Sequence, residues 1–257
     1  MTEAKPTTWQ EINAWRKARR VELIGGREAV PADERHRWND AITPVLERGL
    51  PVAEGTIVGF CWPFKSEFDA RYAVRHWRER GAIAALPEVT GKGRPLIFRK
   101  WWPGAPMRRG VYDIPFPDGT EIVVPDIAIV PMNGYDEQGY RLGYGGGFFD
   151  RTLAQAQRGI LAVGVSYEAL KLSSIFPQPH DIPMDLVATE AGLHRAVAGR
   201  LQRLDEGDAL CYSKQVMAAR GLPRCAPFPD DGGYASPPCY AADFPGYFGE
   251  EPTKGPK

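Results

Sequence analysis

The stretch that decides the fold runs from a short apolar segment, Ile127-Ala-Ile-Val-Pro131, to a glycine-rich turn, Arg141-Leu-Gly-Tyr-Gly-Gly-Gly-Phe-Phe-Asp-Arg151. The apolar segment is typical of a buried β-strand. Behind the turn, four apolar residues recur at helical spacing: Phe148, Phe149, Leu153 and Ala156. This spacing predicts a helix that begins near Gly147. The sequence therefore predicts a strand, a glycine loop and a helix start in direct succession.

A loop of this kind is suited to binding an anion. Backbone N–H groups of a glycine-rich turn can converge on one point, and the positive end of the helix dipole adds to their attraction. Arg141 supplies a forked donor for a phosphate or a carboxylate. Asp150, in the first helical turn, is a hard oxygen ligand of the kind that Mg²⁺ prefers. The simpler alternative is a glycine turn followed by an aspartate that stabilises the helix dipole.

The loop matches neither of the two common phosphate-binding patterns. It contains no Gly-Lys-Ser/Thr sequence, which a P-loop requires. The third glycine of a dinucleotide-binding fingerprint would fall on Phe148. These two mismatches exclude a P-loop and a Rossmann-type loop.

The whole chain has the composition of an ordinary soluble globular protein, with 257 residues, 43% hydrophobic residues and a formal net charge of zero. Its length suffices for one large core or one core with an appendage. The charge balance gives no basic excess for nucleic acid. The sequence has no apolar run long enough for a signal peptide or a membrane span. Its four cysteines lie far apart without a Cys-x-x-Cys pair, which favours reduced thiols in the cytoplasm.

Short apolar strands alternate with helical patterns along most of the chain. We predict helices over 9–27, 32–48 and from Ser66 onward, and strands near 56–60, 82–86, 95–98, 160–167 and 186–189. The strand at 160–167 is apolar throughout, as expected inside a parallel sheet. The alternation predicts one three-layer α/β/α domain with a mostly parallel twisted sheet over residues 1–192. Residues 193–257 are predicted to form a helix and an irregular Pro/Gly/aromatic-rich C-terminal extension of unknown role.

The glycine-rich turn also resembles the signature of the 5-formyltetrahydrofolate cyclo-ligases (methenyltetrahydrofolate synthetases). The resemblance continues upstream at Val130-Pro131 and downstream at Gln178-Pro-His-Asp-Ile-Pro-Met-Asp-Leu-Val-Ala-Thr-Glu190, and it covers residues 12 to 192. It implies an α/β fold and an ATP- and Mg²⁺-dependent conversion of 5-formyltetrahydrofolate to 5,10-methenyltetrahydrofolate. The implied reaction passes through a phosphorylated formyl intermediate.

The resemblance implies an ATP site built from two arginines and the loop. Arg16 falls on the family arginine that reaches the ATP phosphates from the first helix. The alternative, from the residues alone, is a solvated basic helix surface. Arg16 and Arg141 are therefore implied as catalytic and ATP-binding residues. The loop residues implied to complete the site are Leu142, Gly143, Tyr144, Gly145, Gly146, Gly147, Phe148 and Phe149.

The resemblance also implies a folate site, formed by Trp62, Glu67, Tyr144 and Phe148. The Glu67 carboxylate can accept two parallel N–H bonds from a pterin, and Trp62 can stack on the flat ring. The alternative for Glu67 is an acid in the first turn of the helix predicted from Ser66, where it would stabilise the dipole.

The implied cofactor is Mg²⁺, with ATP as co-substrate. Asp150 and Asp185 are the implied metal ligands, and we expect them to converge at the strand ends, where open α/β sheets bind ligands. The implied partners are ATP and 5-formyltetrahydrofolate, and the extension is a candidate surface for a protein partner.

Three residues depart from the family pattern. Ile12 stands in place of a lysine, Phe149 in place of a tyrosine and Leu170 in place of a glutamine. With the C-terminal extension, these departures leave an alternative function open. The chain would then be a divergent paralogue that binds folate or nucleotide without turnover.

Overall fold

The computed structural model describes residues 5–156 and 159–223. Its helices are α1 (Trp9–Ala29), α2 (Ala32–Gly49), α3 (Arg71–Glu79), α4 (Phe148–Gln155) and α5 (Glu206–Ala219). Its strands are β1 (Ile57–Gly59), β2 (Ile83–Val89), β3 (Leu96–Trp101), β4 (Met107–Arg109), β5 (Pro115–Pro117), β6 (Ile122–Val123), β7 (Ile127–Pro131), β8 (Gly134–Asp136), β9 (Arg141–Leu142), β10 (Leu161–Val165), β11 (Lys171–Leu172), β12 (Leu186–Thr189), β13 (Gly192–Val197) and β14 (Arg200–Arg203). Among the described helices, none is long and apolar enough to cross a membrane.

The centre of the fold is a nine-stranded sheet in the order β14-β13-β12-β10-β7-β1-β2-β3-β6. The strands from β12 to β2 pair in parallel. The outer strands β13, β14, β3 and β6 are antiparallel additions at the two edges. The predicted mostly parallel sheet is thus confirmed.

Helices cover both faces of this sheet, because the inner strands are apolar on both sides. In β7, Ile127 and Ile129 point into the larger core, whereas Ala128 and Val130 point into the core on the opposite face. Helices α2, α3 and α5 pack on the first face, and α4 contributes Leu153 to the second. This arrangement confirms the three-layer α/β/α fold.

The strand order creates a crevice between β1 and β7. The chain moves from β1 to β2 on one side, and from β7 through β10 to β12 on the other. Loops that leave the carboxyl ends of β1 and β7 therefore diverge, which is where open α/β sheets bind ligands. Helix α1 bridges both loops, since Arg27 donates to the Lys65 carbonyl at 2.8 Å and Arg20 donates to the Gly143 carbonyl at 2.7 Å.

The predicted helix start at Ser66 is wrong. Lys65 and Ser66 have φ values of 49° and 60°, which a right-handed helix does not tolerate. Helix α3 begins at Arg71, where Asp69 accepts a hydrogen bond from the Arg71 backbone N–H at 3.1 Å. Glu67 consequently lies in the loop after β1.

The sheet continues beyond the predicted boundary at residue 192. Strand β13 pairs with β12 and β14, and α5 packs against α2. The Ser213 hydroxyl fixes this packing by donating to the Gly49 carbonyl at 2.9 Å. Residues 193–223 thus extend the same sheet and helix layer. The Pro/Gly/aromatic-rich part of the predicted extension, from residue 224, lies outside the described residues.

Candidate active site

A cleft of about 630 Å³ opens at the carboxyl ends of β1, β2 and β7. Three segments line most of it: the inward side of α1, the loop after β1 and the glycine loop. Every residue implied for the ATP and folate sites lies along this cleft: Arg16, Trp62, Glu67, Arg141 and the loop from Leu142 to Phe149. Asp150 lines it as well. The structure therefore brings these residues together at the crevice that the strand order creates.

The glycine loop has the backbone that its sequence predicts. Gly145 and Gly147 have φ values of 92° and 63°, in the region where a side chain is strained. Gly147 also caps the amino end of α4. The loop therefore turns sharply enough to direct backbone into the cleft immediately before a helix begins.

Arg141 and Asp150 form an ion pair at the base of the loop. The Arg141 Nη2 lies 2.9 Å from an Asp150 carboxylate oxygen, and its Nη1 donates to the Ile182 carbonyl at 3.1 Å. The other Asp150 oxygen accepts from the Ile182 N–H at 3.1 Å. Burial lowers the pKa of Arg141, and the Asp150 charge opposes that change. The pair thus holds a cation and a carboxylate side by side at the cleft wall.

Arg16 is held rigidly by a second ion pair. Its Nη2 contacts Asp181 at 2.5 Å, and its Nε donates to the Ile175 carbonyl at 3.0 Å. Burial acts to raise the pKa of Asp181, but hydrogen bonds from Arg16 and from the Gln178 backbone lower it below its ordinary value. The guanidinium is therefore fixed at the cleft with its counter-ion already present.

The buried side chains of Glu67 and Arg27 form a cluster with the more exposed Tyr144. The Tyr144 hydroxyl donates to Glu67 Oε1 at 2.8 Å, and the Phe64 N–H donates to Oε2 at 3.1 Å. Arg27 Nη2 donates to the Tyr144 hydroxyl at 3.1 Å and lies 3.9 Å from Glu67 Oε1. Burial raises the pKa of Glu67, and the Arg27 charge is the largest opposing influence. This cluster connects α1, the loop after β1 and the glycine loop.

Sequence reasoning missed Arg27 as part of the site, although a signal was present. At about 100° per residue, the arginines at positions 16, 20 and 27 lie within about 40° of one another around a helix. Arg20 and Arg27 donate to the glycine loop and to the loop after β1, and Arg16 lines the cleft itself. An arginine stripe on one helix face was therefore readable as the basic wall of an anion site.

Aromatic and apolar groups form the remaining walls. The Arg71 guanidinium stacks 4.8 Å from the centre of the Trp62 ring, which holds that ring in place. A further wall was not predicted from the sequence, and it comes from β5 and the residues that connect β4 to it. Its lining residues are Gly110, Val111, Ile114, Pro115 and Phe116. The cleft thus offers a flat apolar space beside the Glu67 carboxylate.

The structure does not bring Asp185 to the cleft. Asp185 forms a two-point ion pair with Arg220, with distances of 2.6 and 2.7 Å, and accepts from the Ala162 N–H at 2.8 Å. The reason is topological. Asp185 directly precedes β12 and so lies at the amino end of the parallel strands, whereas the glycine loop follows the carboxyl end of β7. The expected convergence of Asp150 and Asp185 does not occur.

The cleft is compatible with a metal ion that receives most of its ligands from the bound substrate. Within residues 5–156 and 159–223, no three His, Cys, Asp or Glu side chains cluster as a metal site. Asp150 is a partly exposed carboxylate in the cleft, with 20% of its side chain accessible. Mg²⁺ commonly binds one or two carboxylates, phosphate oxygens and waters. The donor set around Asp150 is therefore compatible with a metal bound to a nucleotide.

The three departures from the family pattern occupy apolar surroundings. Ile12 and Leu170 are buried, at 8% and 5% exposure, and Leu170 belongs to the larger core. Phe149 lies beneath the Arg141 guanidinium, with 5.7 Å between the guanidinium carbon and the ring centre. Each substitution is accommodated by packing, and Phe149 also contacts the arginine of the ion pair.

Comparison with known proteins gives one consistent family. The family model described as the 5-formyltetrahydrofolate cyclo-ligase family matches residues 12–190. The chain is 33% identical over 172 residues to a Haemophilus influenzae protein named 5-formyltetrahydrofolate cyclo-ligase. The aligned region covers 64% of this chain and 92% of that protein. It is 38% identical over 170 residues to the Escherichia coli protein of that name, covering 63% and 93%.

The fold is similar to that of a solved relative. The NMR structure of Aquifex aeolicus 5,10-methenyltetrahydrofolate synthetase aligns with a TM-score of 0.61 at 27% identity, and it covers 74% of this chain and 96% of that protein.

Proposed function

Because this chain belongs to the 5-formyltetrahydrofolate cyclo-ligase family, we propose that its cleft binds ATP and 5-formyltetrahydrofolate and produces 5,10-methenyltetrahydrofolate, ADP and phosphate. One observation carries the proposal. The glycine loop, the arginines Arg16 and Arg141, and the carboxylates Asp150 and Glu67 all line a single cleft. We also propose a cytoplasmic location, which the wide spacing of the four cysteines without a Cys-x-x-Cys pair supports.

The first step is phosphoryl transfer to the formyl group. The oxygen of the formyl group on N5 attacks the γ-phosphorus of ATP. The bond between this phosphorus and the oxygen that bridges to the β-phosphate breaks, and ADP leaves. Such a step needs positioning and charge neutralisation more than covalent help from the protein. Loop N–H groups together with Arg16 and Arg141 provide both, because their donors are fixed before the substrate binds.

The second step closes the ring. The N10 nitrogen attacks the activated formyl carbon, loses its proton, and phosphate departs from that carbon to leave the methenyl bridge. Glu67 orients the pterin by accepting its N–H groups, and the Trp62 ring limits its tilt. The apolar wall of Ile114 and Phe116 excludes water that would otherwise hydrolyse the activated formyl group.

We further propose that Asp150 holds Mg²⁺ together with phosphate oxygens of ATP. Mg²⁺ supplies neutralisation of the charge that develops on the transferring phosphoryl group. The ion pair with Arg141 and the hydrogen bond from the Ile182 N–H hold the Asp150 carboxylate in place at the cleft wall. Asp185 stays outside this proposed metal site, because Arg220 engages it elsewhere.

Turnover by the purified full-length protein tests the proposed function. With 5-formyltetrahydrofolate, ATP and Mg²⁺ present, absorbance of the methenyl product should rise, and stoichiometric ADP should appear. Omission of ATP, or addition of EDTA, should abolish both signals. Tight folate binding without any ATP-dependent product would refute turnover and indicate a binding protein instead.

An Asp185→Asn variant should lose stability but keep its metal response. Loss of the charged hydrogen bonds to Arg220 should lower the free energy of unfolding by about 1–3 kcal/mol. The Mg²⁺ concentration for half-maximal turnover should not change. Urea unfolding and a Mg²⁺ titration of turnover measure these effects, and Arg220→Gln should behave in the same way. A higher Mg²⁺ concentration for half-maximal turnover, with an unchanged free energy of unfolding, would show that Asp185 belongs to the metal site.

A further inference from the structure

The Glu67 carboxylate already has a hydrogen-bond donor from the glycine loop and is almost inaccessible. Glu67 lines the cleft, yet only 4% of its side chain is exposed. The Tyr144 hydroxyl donates to Glu67 Oε1 at 2.8 Å, and Tyr144 itself is 42% exposed. The carboxylate proposed to bind the pterin is therefore occupied by a side chain that lies nearer to solvent.

Both oxygens of Glu67 have a donor, but the two donors come from different parts of the chain. The Phe64 N–H, which donates to Oε2 at 3.1 Å, belongs to the same loop as Glu67. A carboxylate oxygen has two lone pairs, so this N–H can stay in place when a ligand binds. The parallel N–H groups of a pterin must reach both oxygens at once. The small exposed area of Glu67 does not allow this while Tyr144 holds Oε1.

The Tyr144 hydroxyl remains protonated and so remains a donor. Burial and the Glu67 charge raise its pKa above the ordinary tyrosine value. Arg27 Nη2 donates to the hydroxyl oxygen at 3.1 Å, which leaves the hydroxyl proton for Glu67. The tyrosine thus supplies in the empty cleft the kind of donor that a pterin N–H would supply.

The surroundings of Tyr144 allow its side chain to leave. Its neighbours in the chain are Gly143 and Gly145, and Gly145 has a φ value of 92°. Its ring contacts Phe64 at the cleft, with 5.8 Å between the ring centres, and belongs to none of the described core clusters. Rotation of Tyr144 into solvent therefore breaks its contacts with Glu67, Arg27 and Phe64 without opening the core.

We propose that Tyr144 is a gate on the folate site, because its hydroxyl occupies the pterin position on Glu67 and must leave before the substrate binds there. This inference rests on the proposed function of the cleft and deepens it. The hydroxyl opposes folate binding, since the apparent affinity of a site falls with the fraction of molecules in which the site is open. In the empty cleft the same hydroxyl keeps the buried carboxylate hydrogen-bonded, which an open site would not do.

A Tyr144→Phe variant tests the gate, because it removes the hydroxyl and keeps the ring. Without ATP, the variant should bind 5-formyltetrahydrofolate about 5- to 20-fold more tightly than the wild type, since no hydrogen bond to Glu67 has to break first. p-Aminobenzoylglutamate, the part of the substrate without the pterin, should bind both proteins equally. Calorimetric titration of the purified full-length proteins gives these constants. A tyrosine that is a substrate ligand, or that only holds Glu67 in place, predicts weaker binding by the variant.

Tyr212→Phe is the matched control. Tyr212 of α5 lines a separate cavity, and its ring centre lies 4.8 Å from the Arg195 guanidinium carbon. Its substitution should leave folate affinity within about twofold of the wild type. Unchanged or weaker folate binding by Tyr144→Phe would overturn the gate. If Tyr144→Phe binds folate more tightly but the wild type forms no methenyl product, the proposed function fails and the gate stands.

Discussion

An Asp150→Asn variant should lose about 1,000-fold or more in kcat, because it removes a metal-binding charge and the counter-ion of Arg141 together. The Asp150 carboxylate lies 2.9 Å from Arg141 Nη2 and accepts from the Ile182 N–H. Asparagine keeps the size and one acceptor oxygen. The variant should therefore fold, while Arg141 loses the partner that fixes its direction. Steady-state turnover at saturating ATP and folate measures the loss.

The metal response separates the two causes of this loss. If Asp150 binds Mg²⁺, the variant should also need a higher Mg²⁺ concentration for half-maximal activity. Asp33→Asn is a suitable control, because Asp33 is an exposed acid of α2 that pairs only loosely with Arg37 at 3.5 Å. Its kcat should match that of the wild type. A kcat for Asp150→Asn within tenfold of the wild-type value would contradict a role of Asp150 in the reaction.

Local sequence predicted the strand, the loop and the helix at the centre of the candidate site, because these elements follow one another along the chain. The apolar run of β7, the glycine turn and α4 are consecutive, so strand, loop and helix follow from composition and spacing alone. Arg141 and Asp150 lie at the two ends of that turn and meet across it. Residues from distant segments were predicted where the family resemblance supplied them, as for Glu67.

The rest of the site depends on tertiary placement, which spacing does not specify. Asp185 was expected among the strand-end ligands, yet it precedes its strand and lies at the amino ends of the parallel strands, away from the cleft. Glu67 was placed in a helix, although two positive φ angles just before it form a loop instead. Helical spacing places Arg20 and Arg27 on one face of α1, but the loops that they contact became known only when α1 was seen to cross the loops after β1 and β7. The direction in which α1 crosses the sheet is a packing outcome, and no single segment encodes it.

An Arg27→Met variant should lose about 3–5 kcal/mol in its free energy of unfolding, because removing one partner of a buried ion pair leaves the other charge uncompensated. The side chains of Arg27 and Glu67 are only 2% and 4% exposed. Methionine replaces most of the apolar stem but supplies neither charge nor donors for Tyr144 and the Lys65 carbonyl. Urea unfolding measures the loss. Arg37→Met, which breaks an exposed pair, should cost less than about 1 kcal/mol.

The loss of unfolding free energy in Arg27→Met should depend on pH, and the pKa of Glu67 sets the direction of this dependence. Burial raises the pKa of Glu67, and Arg27 opposes that rise, so removing Arg27 raises the pKa further. A carboxyl group whose pKa is higher in the folded state contributes stability when protonated, and this contribution is lost as pH rises through the folded pKa. The difference in stability between the variant and the wild type should therefore be smallest below the ordinary carboxyl pKa of 4.5 and grow as the pH rises above it.

A double variant, Arg27→Met with Glu67→Gln, identifies the origin of the loss. If uncompensated charge is the cause, neutralising Glu67 should make the double variant more stable than the sum of the single changes predicts, by about 1–3 kcal/mol. Its stability should also lose the pH dependence that Arg27→Met shows, since the titrating carboxyl is gone. Strictly additive losses with an unchanged pH profile would contradict this account. They would mean that Arg27 stabilises α1 against the cleft by packing and by its hydrogen bond to Lys65, with no contribution from its charge near Glu67.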